Sequence, residues 1–236
     1  EDWIETGVTW LVENFRPQFQ AIKWPVEQTL NGIDNLLQML PPILVLIFLF
    51  IVAWRIAGWR IGLFSVITLT LIGYLGFWND TMTTLAMVLS SVFFCAVAGI
   101  PLGIIAARSD RFEAFIRPIL DAMQTTPAFV YLVPVVMLFS IGTVAGVIAT
   151  IIFSMPPIIR LTNLGIRQVQ PDVVEAAKAF GSTSGQILWK VQFPLAMPTI
   201  MAGLNQTIML SLSMVVIAAL IGAGGLGLPV FEGLNS

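Results

Sequence analysis

PAFVYLVPVVMLFSIGTVAGVIATIIFSMPPII, residues 127–159, contains no charged side chain. As a single α-helix rising about 1.5 Å per residue it would be roughly 50 Å long, far beyond the approximately 30 Å of hydrocarbon in a bilayer. The stretch is therefore expected to hold parts of two spans that meet at a turn in SIGT, 140–143. Outward from it, runs of membrane-crossing character lie at 41–57, 61–78, 85–107, 119–141, 144–159 and 195–221. The fifth is short, which calls for tilt or local thinning of the bilayer. Residues 1–40 mix acidic, amide, Trp and Pro residues with amphipathic pieces such as VTWLVENF, so they are expected to form an extracytoplasmic surface-lying region ahead of a membrane domain at 41–236.

Composition agrees with this reading. Of the 236 residues 57% are hydrophobic and 10% charged, with a mean hydropathy of +0.92, where soluble domains carry about a quarter charged residues. The expected class is an all-α integral membrane protein. A net charge of -2 offers no footprint for nucleic acid. There is no histidine, which removes most hydrolase triads, zinc sites and imidazole proton relays. Cys95 is the only cysteine, so neither an intrachain disulfide nor a cysteine metal cluster can form. An intramembrane hydrolase would also need a nucleophile and base within the spans, and no Asp, Glu or Lys pair is there. No catalytic residue, metal or cofactor is expected in this chain. Because it starts at Glu1, it is expected to be part of a longer protein.

The basic residues set the orientation. With the N-terminus outside, Arg55, Arg60, Arg108, Arg111, Arg117, Arg160, Arg167, Lys178 and Lys190 all face the cytoplasm, leaving only Arg16 and Lys23 of the eleven outside. Trp54, Trp59 and Trp78 fall at span edges, where interfacial anchoring accounts for them.

Residues 160–194 form the longest polar interruption. Asp172 and Glu175 have the spacing of a capping box behind Pro171, and Val173, Ala176, Ala177 and Phe180 share one helical face. Lys178 is placed to pair with Glu175, and Gly181 marks the helix end. Thr183 and Gln186 repeat the box, predicting a second short helix that Pro194 ends. Two adjacent alanines on an exposed apolar face let another backbone approach closely. They suit a docking partner, or else packing on the chain's own spans.

EAAKAFGSTSGQILWKVQFP, 175–194, resembles the EAA loop of ABC-importer permeases: Glu175, Ala176, Ala177, Gly181, Val191, Phe193 and Pro194 stand at the family's spacings. LDAMQTTPAFVYLVPVVMLF, TIIFSMPPIIRLT and FPLAMPTIMAGLNQT extend the likeness, over most of 40–230, to the type I permeases of betaine importers. That resemblance implies a permease subunit for glycine betaine and proline betaine, with choline, carnitine or another small solute as the alternative and a membrane scaffold as a more distant one. It implies that Asp172, Glu175, Ala176, Ala177, Gly181 and Pro194 shape a coupling surface for ABC ATPase subunits, which would use the ATP and Mg. Further implied partners are a periplasmic or extracytoplasmic substrate-binding protein and a second permease copy, in the lipid of a bacterial inner membrane. The family commonly has one more span than this chain, whose two ends look trimmed.

Two signals remain. GAGGLG, through Gly222, Gly224 and Gly227, mimics a dinucleotide-binding fingerprint, but the preceding apolar run is too long for a strand and no acidic residue follows at the required distance. With Gly225 these glycines are expected to form a flexible bend at the outer face, near an external gate or simply a loop. Asn205, Gln206 and Thr207 interrupt the sixth span; they are candidates for a translocation path or for ordinary interhelical hydrogen bonds. Pro101, Pro134, Pro156 and Pro157 are candidate hinges or static kinks. No aromatic cluster of the kind that holds quaternary ammonium groups is visible in the spans, which assigns specificity to a separate binding protein.

Overall fold

The computed structural model describes residue 21 and residues 23–235; VTWLVENF and Arg16 lie outside them. The described residues form helices and connecting turns, with no strand. In chain order the helices are α1 (Lys23–Met39), α2 (Pro42–Ala57), α3 (Trp59–Tyr74), α4 (Trp78–Arg108), α5 (Asp110–Thr125), α6 (Ala128–Phe139), α7 (Thr143–Arg167), α8 (Pro171–Ala179), α9 (Ser184–Ile187), α10 (Phe193–Ala218) and α11 (Gly227–Asn235). A π-helical segment, Leu188–Gln192, joins α9 to α10.

Among the described residues, α4, α7 and the continuous Ser184–Ile221 run are each long and apolar enough to cross a membrane alone. The pairs α1/α2 and α5/α6 reach that length only jointly, and each is bent by 103°. The single span expected at 119–141 is thus two helices meeting at a sharp break. Its cause is local. Pro127 pushes Thr126 into an extended conformation, φ -74°, ψ 128°, and lacks the N–H that would bond the Met123 carbonyl. The Tyr131 hydroxyl donates to that carbonyl instead, at 2.5 Å. The turn between α6 and α7 does fall at 140–142, with Ser140 at φ 70°. Beyond residue 159, where the fifth span was expected to stop, α7 continues to Arg167. Thr162 and Ile166 are buried there, so the apolar face of the helix outlasts its charge-free stretch.

The described residues form two compact units: those of 23–90, 136–147 and 215–235 make one, and 91–135 with 148–214 the other. In the first, α2 and α3 pack together. Phe48, Phe64 and Ile67 are exposed, as lipid-facing side chains would be, and the Arg60 guanidinium lies 5.9 Å from the centre of the Trp59 ring. The second unit has a core of Cys95, Leu120, Ile158, Ile159, Ile166, Leu188, Ala196 and Ile200. Small and polar residues hold its helices together. Ser211 donates to Ser154 Oγ at 3.0 Å, Ser154 donates to the Thr150 carbonyl at 2.6 Å, and Cys95 Sγ lies 3.5 Å from Ser154 Oγ. In a bilayer, where lipid is as apolar as leucine, such contacts and close packing replace the hydrophobic drive, at about 0.6 kcal/mol per hydrogen bond.

Candidate functional site

Helix α8 begins one residue before the expected cap. Gln170 holds the cap position without a side-chain hydrogen bond, Pro171 is the first helical residue and Asp172 the second. Asp172 therefore does not cap the helix and forms no capping box with Glu175. Proline pre-sets the helical φ and has no N–H to satisfy at that position, so it wins the first turn. The Asp172 carboxylate keeps a favourable place at the positive end of the helix dipole. The far end closes in a Schellman motif. Gly181, at φ 80°, donates to the Lys178 carbonyl at 2.9 Å, and the Ser182 N–H reaches the Ala177 carbonyl at 3.1 Å.

No residue of α8 is buried. Glu175 and Ala176 are exposed, Ala177 is half-buried, and Phe180, just past the helix, is 91% exposed. Of the face made by Val173, Ala176, Ala177 and Phe180, only Ala177 is half-covered by the described residues; the other three are exposed. Glu175 and Lys178 form no ion pair; those among the described residues are Arg160–Asp121, Arg167–Asp110 and Arg167–Glu113.

The second capping box is complete. Thr183 Oγ1 accepts the Gln186 N–H at 3.4 Å while Gln186 Oε1 accepts the Thr183 N–H at 2.9 Å. Pro194, however, does not end this helix. It sits in the first turn of α10, and Ser184–Ile221 runs as one helical segment of 38 residues. In a regular α-helix Pro194 would orphan the Lys190 carbonyl and collide with it. The π turn, closed by the Phe193 N–H on the Leu188 carbonyl, relieves that clash by adding a residue to the ring. Asp172→Ala is thus expected to remove about 0.3–1 kcal/mol of dipole stabilisation, and Thr183→Ala about 1 kcal/mol of cap energy. Hydrogen exchange over 172–180 and 184–192 separates the two. Equal loosening of α8 and α9 in the Asp172 variant contradicts this assignment.

Arg108 ties the helix pair to α4, and Arg167 ties α7 to α4 and α5; sequence reasoning treated both only as topological charges. Arg108, in the last turn of α4, donates to the Ser184 carbonyl at 2.9 Å. Arg167, in the last turn of α7, reaches the Ala106 carbonyl at 2.8 Å, Asn163 Oδ1 at 2.9 Å, Asp110 at 2.8 Å and Glu113 at 3.0 Å. Asp110 and Glu113 follow the Ser109 cap of α5, an acidic first turn that was the readable signal for a basic partner.

Asn205 and Gln206 lie on an exposed side of α10, whereas Thr207 is buried with its hydroxyl unpartnered among the described residues. The three residues that were candidates for a path or for interhelical hydrogen bonds therefore divide between two faces. The glycine segment is a close-packed turn rather than a flexible bend. Gly222 and Gly225 have φ of 73° and 89°, a Cβ on Gly225 would sit 2.5 Å from Thr84 Oγ1, and one on Gly227 would sit 2.8 Å from the Ala219 Cβ. Backbone amides anchor it further: Leu226 N–H donates to Thr84 Oγ1 at 2.8 Å and Gly224 N–H to Thr143 Oγ1 at 3.5 Å.

Comparison with known proteins places these features in context. A family model described as "Binding-protein-dependent transport system inner membrane component" matches residues 99–236. The glycine betaine/proline betaine transport system permease protein ProW of Escherichia coli (strain K12) is 55% identical over 100% of this chain, which spans 66% of that protein's length. The glycine betaine transport system permease protein OpuAB of Bacillus subtilis is 49% identical over 99% of the chain and 83% of its own length. The glycine betaine/carnitine transport permease protein GbuB of Listeria monocytogenes is 48% identical over 97% and 82%. Among solved structures, an inward facing conformation of the MetNI methionine ABC transporter superposes with a TM-score of 0.58 at 26% identity, covering 63% of this chain and 76% of that one.

Proposed function

This chain belongs to the family of binding-protein-dependent transport system inner membrane components, and from that premise we propose that it is the permease subunit of an ATP-driven importer of glycine betaine and proline betaine. Its all-helical membrane fold is that of the type I ABC-importer permeases. The observation that carries the reading is α8. It is a helix closed by a Schellman motif, with Val173, Ala176 and Phe180 of its apolar face exposed among the described residues. ATPase subunits, which bind ATP and Mg, seat on that face. Their closure displaces α8, and the displacement passes through α9 and the π segment into the unbroken Ser184–Ile221 helix. The Arg108 contact to Ser184 carries part of it to α4. Glu175, Ala176, Ala177 and Gly181 form the contact, while Thr183 and Pro194 shape the lever behind it.

A second permease copy covers the exposed Asn205 and Gln206, so that the path runs between copies. An extracytoplasmic binding protein delivers solute at the face that carries Gly222–Gly227. The N-terminus lies outside, as the nine basic residues argue. The names of ProW, OpuAB and GbuB support betaines as the solute class. The test is uptake of labelled glycine betaine, proline betaine, choline and carnitine by the reconstituted complex with its binding protein, with and without ATP. Glycine betaine is expected to accumulate only with ATP. Accumulation of choline or carnitine with no betaine uptake overturns the solute, and ATP-independent flux overturns the mechanism.

A further inference from the structure

Lys23, Asn31 and Asp34 of α1 line a cavity of about 260 Å³ together with Thr83 of α4, Phe139 of α6 and Thr143 of α7. Its volume is close to the lower end of the about 300–1,000 Å³ usual for small-ligand sites. Asp34 Oδ2 accepts Gln38 Nε2 at 3.0 Å, and the same amide donates to Thr83 Oγ1 at 3.4 Å. The other carboxylate oxygen, Oδ1, is buried and has no hydrogen-bond partner among the described residues. Lys23 lines the same cavity, yet no ion pair joins it to Asp34; the three pairs among the described residues are elsewhere.

Among the described residues the Asp34 carboxylate has one amide donor, Gln38, and no cation paired with it. Lys23 and Asp34 thus set opposite charges on the wall of one cavity with no ion pair between them. A small zwitterion complements both charges at once, its quaternary ammonium, which has no N–H to donate, meeting the Asp34 carboxylate by charge alone, its carboxylate at Lys23, and its methyl groups beside Phe139. We propose that this cavity binds the transported zwitterion within a single protomer, at a site separate from Asn205 and Gln206. The proposal deepens the functional reading above and rests on its betaine assignment. Thr143 also accepts the Gly224 N–H, so the cavity adjoins the glycine turn.

The test uses the purified permease–ATPase complex in lipid nanodiscs without binding protein, titrated with labelled glycine betaine and with choline, which has the cation but no carboxylate. Saturable betaine binding is expected, weakened roughly ten- to hundredfold by Asp34→Asn, as loss of one close charge pair in a partly buried site implies. Asp34→Glu keeps the charge and retains binding, so the loss in Asp34→Asn reads as charge rather than misfolding. Lys23→Gln weakens betaine binding but leaves choline binding unchanged. Binding that ignores both charge changes overturns the site, as does a wild-type complex that imports betaine but shows no saturable binding. Uptake measured on the same preparation separates the two ideas. Betaine uptake with charge-insensitive binding removes the site alone, whereas absence of betaine uptake removes the functional reading.

Discussion

Glu175→Lys is expected to bring ATP-driven uptake down to background while the protein still inserts and folds. Glu175 is exposed on a helix that buries no residue, and it has no ion-pair partner among the described residues. Glu and Lys have similar helix propensities, and surface changes of this kind fall within about 0.5 kcal/mol. The chain itself therefore has little reason to respond to the reversal, and a loss of transport reports on the surface that α8 presents. Gly181→Asp makes the same point from the other end of the helix. At φ 80° aspartate costs on the order of 1–2 kcal/mol, and among the described residues no atom stands within 4 Å of the added Cβ. The helix end is retained, but a charge and new bulk now sit beside the docking face. Co-purification of the ATPase with each variant, alongside uptake in proteoliposomes, is the measurement. Normal uptake by Glu175→Lys would remove α8 from the coupling role.

Gly103→Ala is expected to act on the fold rather than on docking. Its Cβ would lie 2.5 Å from the Thr162 Cβ and 2.8 Å from the Ile159 carbonyl oxygen. Neither neighbour is the loose end of a side chain. One is a fully buried threonine and the other the backbone of α7, so α4 and α7 must move apart to admit one methyl group. Overpacking of this kind costs about 1–3 kcal/mol, and helices in lipid depend on close approach for much of their association. Gly32→Ala in α1 is the contrast. No described atom lies within 4 Å there, and exchanging a helical glycine for alanine is worth roughly 0.5–1 kcal/mol in the opposite direction. Thermal unfolding midpoints in detergent should fall for Gly103→Ala and hold or rise for Gly32→Ala. Equal midpoints would mean that the α4–α7 contact yields without cost.

The helix pair at 171–192 was legible because its signals are short in range. The Gly181 stop and the Thr183–Gln186 box each depend on backbone groups within a few residues, and both form. Asp172 was misread because two local signals competed, and proline at the first helical position outranked an acidic cap. Pro194 was misread because proline ends a regular helix, while a π turn lets the helix continue. The break at Pro127 carried a written signal, with Gln124, Thr125 and Thr126 just before it, yet the apolar character of 119–141 as a whole concealed it. The glycine turn read as slack because glycine counts say nothing about Thr84, whose hydroxyl is 142 residues from its partner amide at Leu226.

Amino-acid order alone carried the membrane class, the approximate apolar runs and the presence of a punctuated polar helix pair. Those properties follow from transfer free energies and from hydrogen bonds a few residues apart, which every chain with this order shares. Folding in three dimensions settled the arginine ties of Arg108 and Arg167, the Thr84 anchor of the glycine turn, and the meeting of Lys23 and Asp34 with Thr83 and Thr143 around one cavity. Each depends on whether a group distant in sequence arrives to supply a donor, a counter-charge or empty space, and no local pattern encodes that arrival.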